Sequence, residues 1–194
     1  MECSERLILA SGSPRRRELL ERFGVPFEII PAKGEERAPD GLAPDALVIA
    51  LASAKAKEIA DAPENREAVI LAADTVVELD GKILGKPHGE GGAREMLRSL
   101  SGRTHRVRTG LCVRKGDRVL THAECTSVIF RELSDAEIEA YVRTGEPMDK
   151  AGAYGVQGRG ALLVRRIEGD YYNVMGLPLV RLSTMLGHFG ITLL

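Results

Sequence analysis

A chain of 194 residues can bury a sizeable core and falls within the usual size of one domain, so residues 1–194 are expected to form a single unit. With 44% hydrophobic and 28% charged residues it is no disordered chain, and a net charge of −1 excludes the strongly basic balance of a general nucleic-acid binder. No apolar run approaches the roughly 20 residues that span a bilayer, and MECSERLILASG lacks a long apolar core with a cleavage site, so the chain is expected in the cytoplasm.

In chain order, the apolar run 7–10 reads as a short buried strand. Ser11-Gly12 can turn, Ser13 can cap a helix, and Pro14 suits its first position. Arg15, Arg16 and Arg17 then fill the first helical turn. A helix start is electropositive and favours Asp or Glu there, so this turn calls for an external anion. A phosphate chain held by free N–H groups, serine hydroxyls and guanidinium forks answers that call. Ordinary solvated arginines paired with Glu18 and Glu21 are the competing reading.

Residues 26–30 read as a second strand and 31–42 as an acidic loop carrying Glu35, Glu36 and Asp40. An Ala-rich helix is expected over 44–62, with Lys55 and Lys57 on different faces. Residues 68–79 are almost wholly apolar up to Asp74, as in a strand covered on both faces, and Asp80-Gly81 turns the chain into a hairpin with KILG. A helix over 91–102 stopped by Gly102, two strands turning at 115–117, and a capping box at Ser134 and Glu137 opening another helix come next. A glycine-rich loop with Lys150, Tyr154 and Gln157, a strand at 162–167 and an amphipathic helix around 178–187 complete a mixed α/β order.

Asp74 is read at the C-terminal end of its strand, where open α/β sheets place their ligand crevice. It can serve as a general base for water, as a metal ligand, or merely as a turn cap. Lys86, between a hairpin and a proline, sits on a rigid connection from which it can reach a phosphate or remain solvated. Gln157 lies between glycines that allow close backbone approach, and its amide matches the imide edge of uracil or thymine. There is no dinucleotide fingerprint, no GxxxxGK[ST] loop and no GxSxG elbow. The odd count of three cysteines fits neither a disulfide framework nor a zinc set, and the four histidines show no metal spacing.

LILASGSPRRRELL, ADTVV, LGKP, MLRSLSGRTHRVRTG, FRELSDAEIEAY, GEPMDKAGAYGVQG and IEGDYYNVMGLPL follow one another over nearly the whole chain. Together they resemble the Maf family of septum-formation-inhibitor-like nucleoside triphosphate pyrophosphatases, and DKAGAYGVQG with Gln157 resembles its dTTP/UTP branch. The resemblance implies an elongated, strongly twisted mixed β-sheet with surrounding helices, two lobes and a central cleft, similar to the inosine triphosphatases. It implies hydrolysis of dTTP and UTP, with CTP and modified pyrimidine nucleotides as further candidates, to the monophosphate and pyrophosphate. Asp74 is implied as proton acceptor, and Arg15, Thr75 and Gln157 as the residues that shape substrate choice. Ser13, Arg16, Lys55, Lys86 and Lys150 are implied in the phosphate cleft, with Lys86 counted among the catalytic groups. Glu36 is implied as a further catalytic carboxylate that shares a Mg²⁺ or Mn²⁺ ion with Asp74, although Ala32 to Arg37 is less acidic than the family's usual pattern. The expected partners are the nucleoside triphosphate and at most a second copy in a homodimer, with no membrane and no stable nucleic-acid partner. A non-catalytic, nucleotide-sensing or DNA-binding regulator of cell division is the alternative.

Overall fold

The computed structural model describes residues 5–34 and 41–194. Glu36, with Glu35 and Asp40, lies outside the described residues. In chain order the elements are β1 (Leu7–Leu9), α1 (Pro14–Glu21), β2 (Glu28–Ile29), α2 (Pro44–Ala60), β3 (Val69–Leu79), β4 (Lys82–Leu84) and α3 (Gly89–Leu100). They continue with β5 (Thr104–Lys115), β6 (Arg118–Phe130), α4 (Asp135–Val142), β7 (Val164–Glu168), α5 (Tyr171–Val174) and α6 (Leu179–Gly187). The seven strands form one sheet in the order β2-β1-β3-β5-β6-β7, with β4 pairing β3. β1 runs parallel to β2 and β3, whereas β4 is antiparallel to β3 and β7 antiparallel to β6, so the sheet is mixed, as expected. Among the described residues no helix is long and apolar enough to cross a membrane.

The chain divides into two compact units, Met1–Asp74 with Thr109–Glu124 and Gly176–Leu194, and Thr75–Arg108 with Cys125–Met175. In the first, α2 packs its alanines onto the sheet: Ala52, Ala56 and Ile59 meet Ile8, Ala10, Ile70, Ala72 and Cys112 in a core with almost no exposure. The small side chains let the helix lie close. At Gly110 an added Cβ would fall 2.2 Å from the carbonyl oxygen of Val48, so backbone rests on backbone there.

In the second unit, Asp80 and Gly81 both have positive φ, 51° and 78°, the requirement of the two-residue turn that joins β3 to β4. The Ser134–Glu137 capping box forms in full at the start of α4. His105, Phe130 and Tyr154 pack edge to face, with ring centroids 4.8 to 5.3 Å apart.

Three readings from sequence shift. Asp74 is the sixth of eleven residues in β3 rather than its last, because Val76, Val77 and Leu79 keep the chain extended and Val77 to Leu79 pair with β4. The glycine-rich stretch is a series of short helical turns at Glu146–Asp149, Ala151–Ala153 and Arg159–Leu163, which delays β7 to Val164. α5 gave no periodic signal, since it is a single turn fixed by Asp170, whose carboxylate accepts from the Tyr172 N–H at 2.7 Å.

Candidate active site

The turn after β1 is built on hydrogen bonds from outside the helix it opens. Ser13 takes the extended N-cap conformation of α1, but its side chain makes no cap bond, and the first turn holds no acidic residue. The Ser11 Oγ accepts instead from the Ser13 N–H and from Arg16, both at 3.2 Å. Arg16 Nε donates to the Gly176 carbonyl at 2.8 Å, so this guanidinium is fixed at two points. Arg15 is half-buried, like Arg16. Arg17 is exposed and bonds Glu21 one turn on at 2.6 Å, an ordinary surface pair. The three arginines therefore separate, and the reading of all three as solvated charge holds for Arg17 alone.

Asp74 interrupts the apolar run of β3, which carries a second buried carboxylate, Glu78, near its end, paired with Arg108 at 2.8 Å. Asp74 is 7% exposed, and the Lys55 ammonium on α2 meets its Oδ1 at 2.5 Å. The turn-cap reading of Asp74 does not hold, because the strand runs on through it. Parallel pairing of β1 with β3 ends at Leu9 and Leu71, and the Ala10 N–H still donates to the Leu71 carbonyl at 2.7 Å. Asp74 follows three residues later in β3, past the last residue that pairs with β1. Ser11, Ser13, Arg16, Lys55 and Asp74 thus belong to one unit of the chain.

Thr75, Lys86, Lys150 and Gln157 belong to the other unit. Thr75 is half-buried and, as the next residue of β3, points to the opposite side of the strand from Asp74. Lys86 is exposed on the loop after β4. The neighbouring Gly85 carbonyl accepts from the Gly152 N–H at 3.0 Å, which ties the LGKP loop to the turn after Lys150. Lys150 donates to the Glu146 carbonyl and to Asp149, each at 2.6 Å. Gln157 is exposed at the tip of its glycine-rich segment.

Sequence reasoning missed three contributors. The Gly176 carbonyl, which fixes Arg16, left no signal because it is backbone 160 residues away. Tyr141 and Glu146 also went unremarked, although they organise the Gln157 segment: the Tyr141 hydroxyl donates to Glu146 Oε1 at 2.9 Å. Their trace was present in Gly155, Gly158 and Gly160, spaced to leave room for a group inside the loop.

Asp74 offers a hard oxygen donor, but its Oδ1 is already paired, and among the described residues no three His, Cys, Asp or Glu side chains cluster to hold a metal ion. This donor set fits a magnesium-like ion that arrives with substrate phosphates and takes one or two protein carboxylates, not a protein cage.

Residues 6–189 match the family described as Maf-like protein. The chain is 54% identical over 189 residues to a dTTP/UTP pyrophosphatase of Moorella thermoacetica, covering 96% of both chains. It is 50% identical over 186 residues to a dTTP/UTP pyrophosphatase of Bacillus cereus strain AH820, again covering 96% of each. Among solved structures it is similar to the Staphylococcus aureus Ham1 protein, with a TM-score of 0.52 at 12% identity over 95% of this chain and 99% of that one, a likeness of fold. A match that takes in β1 through α6, supported by relatives at half identity over nearly their whole length, makes this chain a member of the Maf-like protein family.

Proposed function

We propose that this chain, acting as one functional unit over residues 1–194, is a nucleoside triphosphate pyrophosphatase that hydrolyses dTTP and UTP to the monophosphate and pyrophosphate. The observation that carries the reading is the Lys55–Asp74 pair, a buried carboxylate in the middle of an apolar strand with an ammonium at 2.5 Å. Such a pair adds little stability over apolar packing, so its chemistry is the better account of it. The relatives named dTTP/UTP pyrophosphatase support the substrate class.

In the resting site Lys55 occupies Asp74. A polyphosphate offers the ammonium a stronger anionic partner and leaves the carboxylate to orient water and take its proton. The water oxygen bonds to phosphorus, the α–β anhydride bond breaks, and the electron pair leaves with pyrophosphate. Arg15, Ser13 and the N-terminal end of α1 receive phosphate oxygens, while Arg16 holds Ser11 and the turn in place. Lys86 and Lys150 add positive charge along the phosphates, Lys86 in a catalytic role, and Thr75 and Gln157 act in substrate choice. A Mg²⁺ or Mn²⁺ ion held by Asp74 and Glu36 would neutralise the phosphate charge. Acting on soluble nucleotides, the enzyme would work in the cytoplasm.

Pyrophosphate release measured across dTTP, UTP, CTP, ATP and GTP, beside DNA binding at physiological salt, tests the proposal. Turnover with dTTP and UTP first, CTP next and purines last is expected. DNA binding without turnover would overturn it.

A further inference from the structure

A half-buried carboxylate to which the proposed hydrolysis gives no task lies beside the Gln157 segment. Glu146 follows Gly145, which adopts φ 73°, and begins a short helical turn just after α4. Its Oε1 accepts from the Tyr141 hydroxyl at 2.9 Å and from the Gly160 N–H at 3.1 Å. Its Oε2 accepts from the Arg159 N–H at 2.8 Å. The Tyr141 oxygen in turn accepts from the Gly155 N–H at 3.0 Å. The backbone is thus gripped at 155 on one side of Gln157 and at 159 and 160 on the other.

The glycines of this stretch leave room for several groups of the segment itself, among them the Gly155 carbonyl oxygen, 2.6 Å from a Cβ built at Gly160. A Cβ at Gly158 would lie 2.5 Å from Glu146 Oε2, one at Gly160 would lie 2.7 Å from the Tyr141 hydroxyl, and one at Gly155 would lie 2.7 Å from Lys150 Cε. The glycines that seemed to invite a ligand make room for the loop's own clasp. Burial opposes the charge on Glu146, but the Gly160 and Arg159 N–H groups, the Tyr141 hydroxyl and Lys150 outweigh it and hold the carboxyl below its ordinary value. Next to the clasp, the Tyr154 hydroxyl meets His105 Nε2 at 2.8 Å and pins the start of the loop. Gln157, between these anchors, is exposed.

We propose that Glu146, with Tyr141, is the positioning residue for base selection: it presets the segment from Gly155 to Gly160 so that Gln157 presents its amide to the pyrimidine in one orientation. The inference rests on the proposed role of Gln157 as reader of the base. An amide that must be ordered at each encounter loses part of its bonding to entropy, so a preset loop converts directly into discrimination.

The test pairs kinetics with proteolysis. Glu146→Gln turns one acceptor into a donor facing the groups that now donate to it, and Tyr141→Phe removes two bonds, the one to Glu146 and the one from the Gly155 N–H, with little change of shape. The UTP-to-ATP ratio of kcat/KM should fall about tenfold in Glu146→Gln, through KM for UTP, and by less in Tyr141→Phe, with ATP turnover unchanged. Glu146→Asp should restore part of the ratio. Trypsin cleavage after Arg159, located by mass spectrometry, should accelerate about tenfold in Glu146→Gln as the loop opens. A ratio unchanged in both variants overturns the inference whether or not cleavage accelerates, as does an equal loss on all substrates through kcat. If Glu146→Gln does not fold, Tyr141→Phe alone decides by the same ratio. Gln157→Leu separates the levels: if it shifts the base preference and the clasp variants do not, only this inference fails, whereas if it too leaves the preference unchanged, the proposed reader of the base is wrong.

Discussion

Replacing Asp74 with Asn separates chemistry from stability most sharply. The amide keeps the shape but can neither take a proton from water nor balance the ammonium 2.5 Å away. Breaking a buried ion pair by removing one charge costs about 3–5 kcal/mol, and breaking an exposed one about 0–1 kcal/mol. The Lys55 and Asp74 side chains are 18% and 10% exposed, near the buried limit, so a loss of about 2–4 kcal/mol is expected for the pair. For a chain of this size that is a fall in Tm of roughly 5–15 °C. Loss of a general base removes about 100-fold or more of turnover. In the double variant Lys55→Met with Asp74→Leu, apolar contacts replace both charges, so most of the stability should return while activity stays lost. Differential scanning calorimetry and pyrophosphate release on the three proteins read the two effects apart. An Asp74→Asn enzyme with near-normal turnover refutes the catalytic assignment, and a double variant no more stable than Asp74→Asn refutes the treatment of the pair as an isolated buried charge couple.

Arg15→Ala and Arg16→Ala should each raise KM or lower kcat well beyond Arg17→Ala, whose pair with Glu21 is an exposed surface pair; steady-state kinetics on the three variants checks this. Pyrophosphate at about 100 times its Kd should stabilise the native protein by about 2.7 kcal/mol in thermal melts, and no protection would argue against the phosphate site. Gln157→Leu should raise KM for dTTP and UTP by the equivalent of about 1–3 kcal/mol and leave ATP and GTP hydrolysis nearly unchanged, as read from kcat/KM across the series. Burial beside Phe130 and Tyr154 lowers the His105 pKa from 6.5 to about 4, so the unfolded chain binds a proton there that the folded one refuses. The stability given by the neutral ring is full above pH 6.5 and is lost as pH falls towards 4, by about 3 kcal/mol, a slope that melts between pH 7.5 and 4.5 should show flattened in His105→Gln.

Much of this arrangement was legible because local rules governed it. The turn from Ser11 into α1, the Asp80-Gly81 hairpin and the capping box at Ser134 depend on residues a few positions apart, and each appears where the sequence placed it. The family motifs supplied Asp74 and Lys55 as candidates, but nothing local showed that they pair, because α2 brings Lys55 across 19 residues through packing on alanines and Gly110. Asp74 was misplaced along its strand because a charge in an apolar run reads as an ending, when in fact the ammonium from α2 lets the run continue. The glycine-rich segment deceived in the opposite way. Its glycines look like an opening for a ligand and are filled by Glu146, Tyr141 and Lys150, groups whose approach depends on tertiary contacts.

The bond between Arg16 and the Gly176 carbonyl has a bearing on how the protein comes into being. The two residues lie 160 positions apart, and at translation rates of about 5–20 residues per second the arginine waits roughly 10–30 s for its acceptor to be made. Lys55 and Asp74 are both made early, whereas the rest of that unit, Thr109–Glu124 and Gly176–Leu194, follows in two later stretches of the chain. A nascent chain stalled upstream of Gly176 therefore carries Lys55 and Asp74 while the arginine turn still lacks the carbonyl that fixes Arg16.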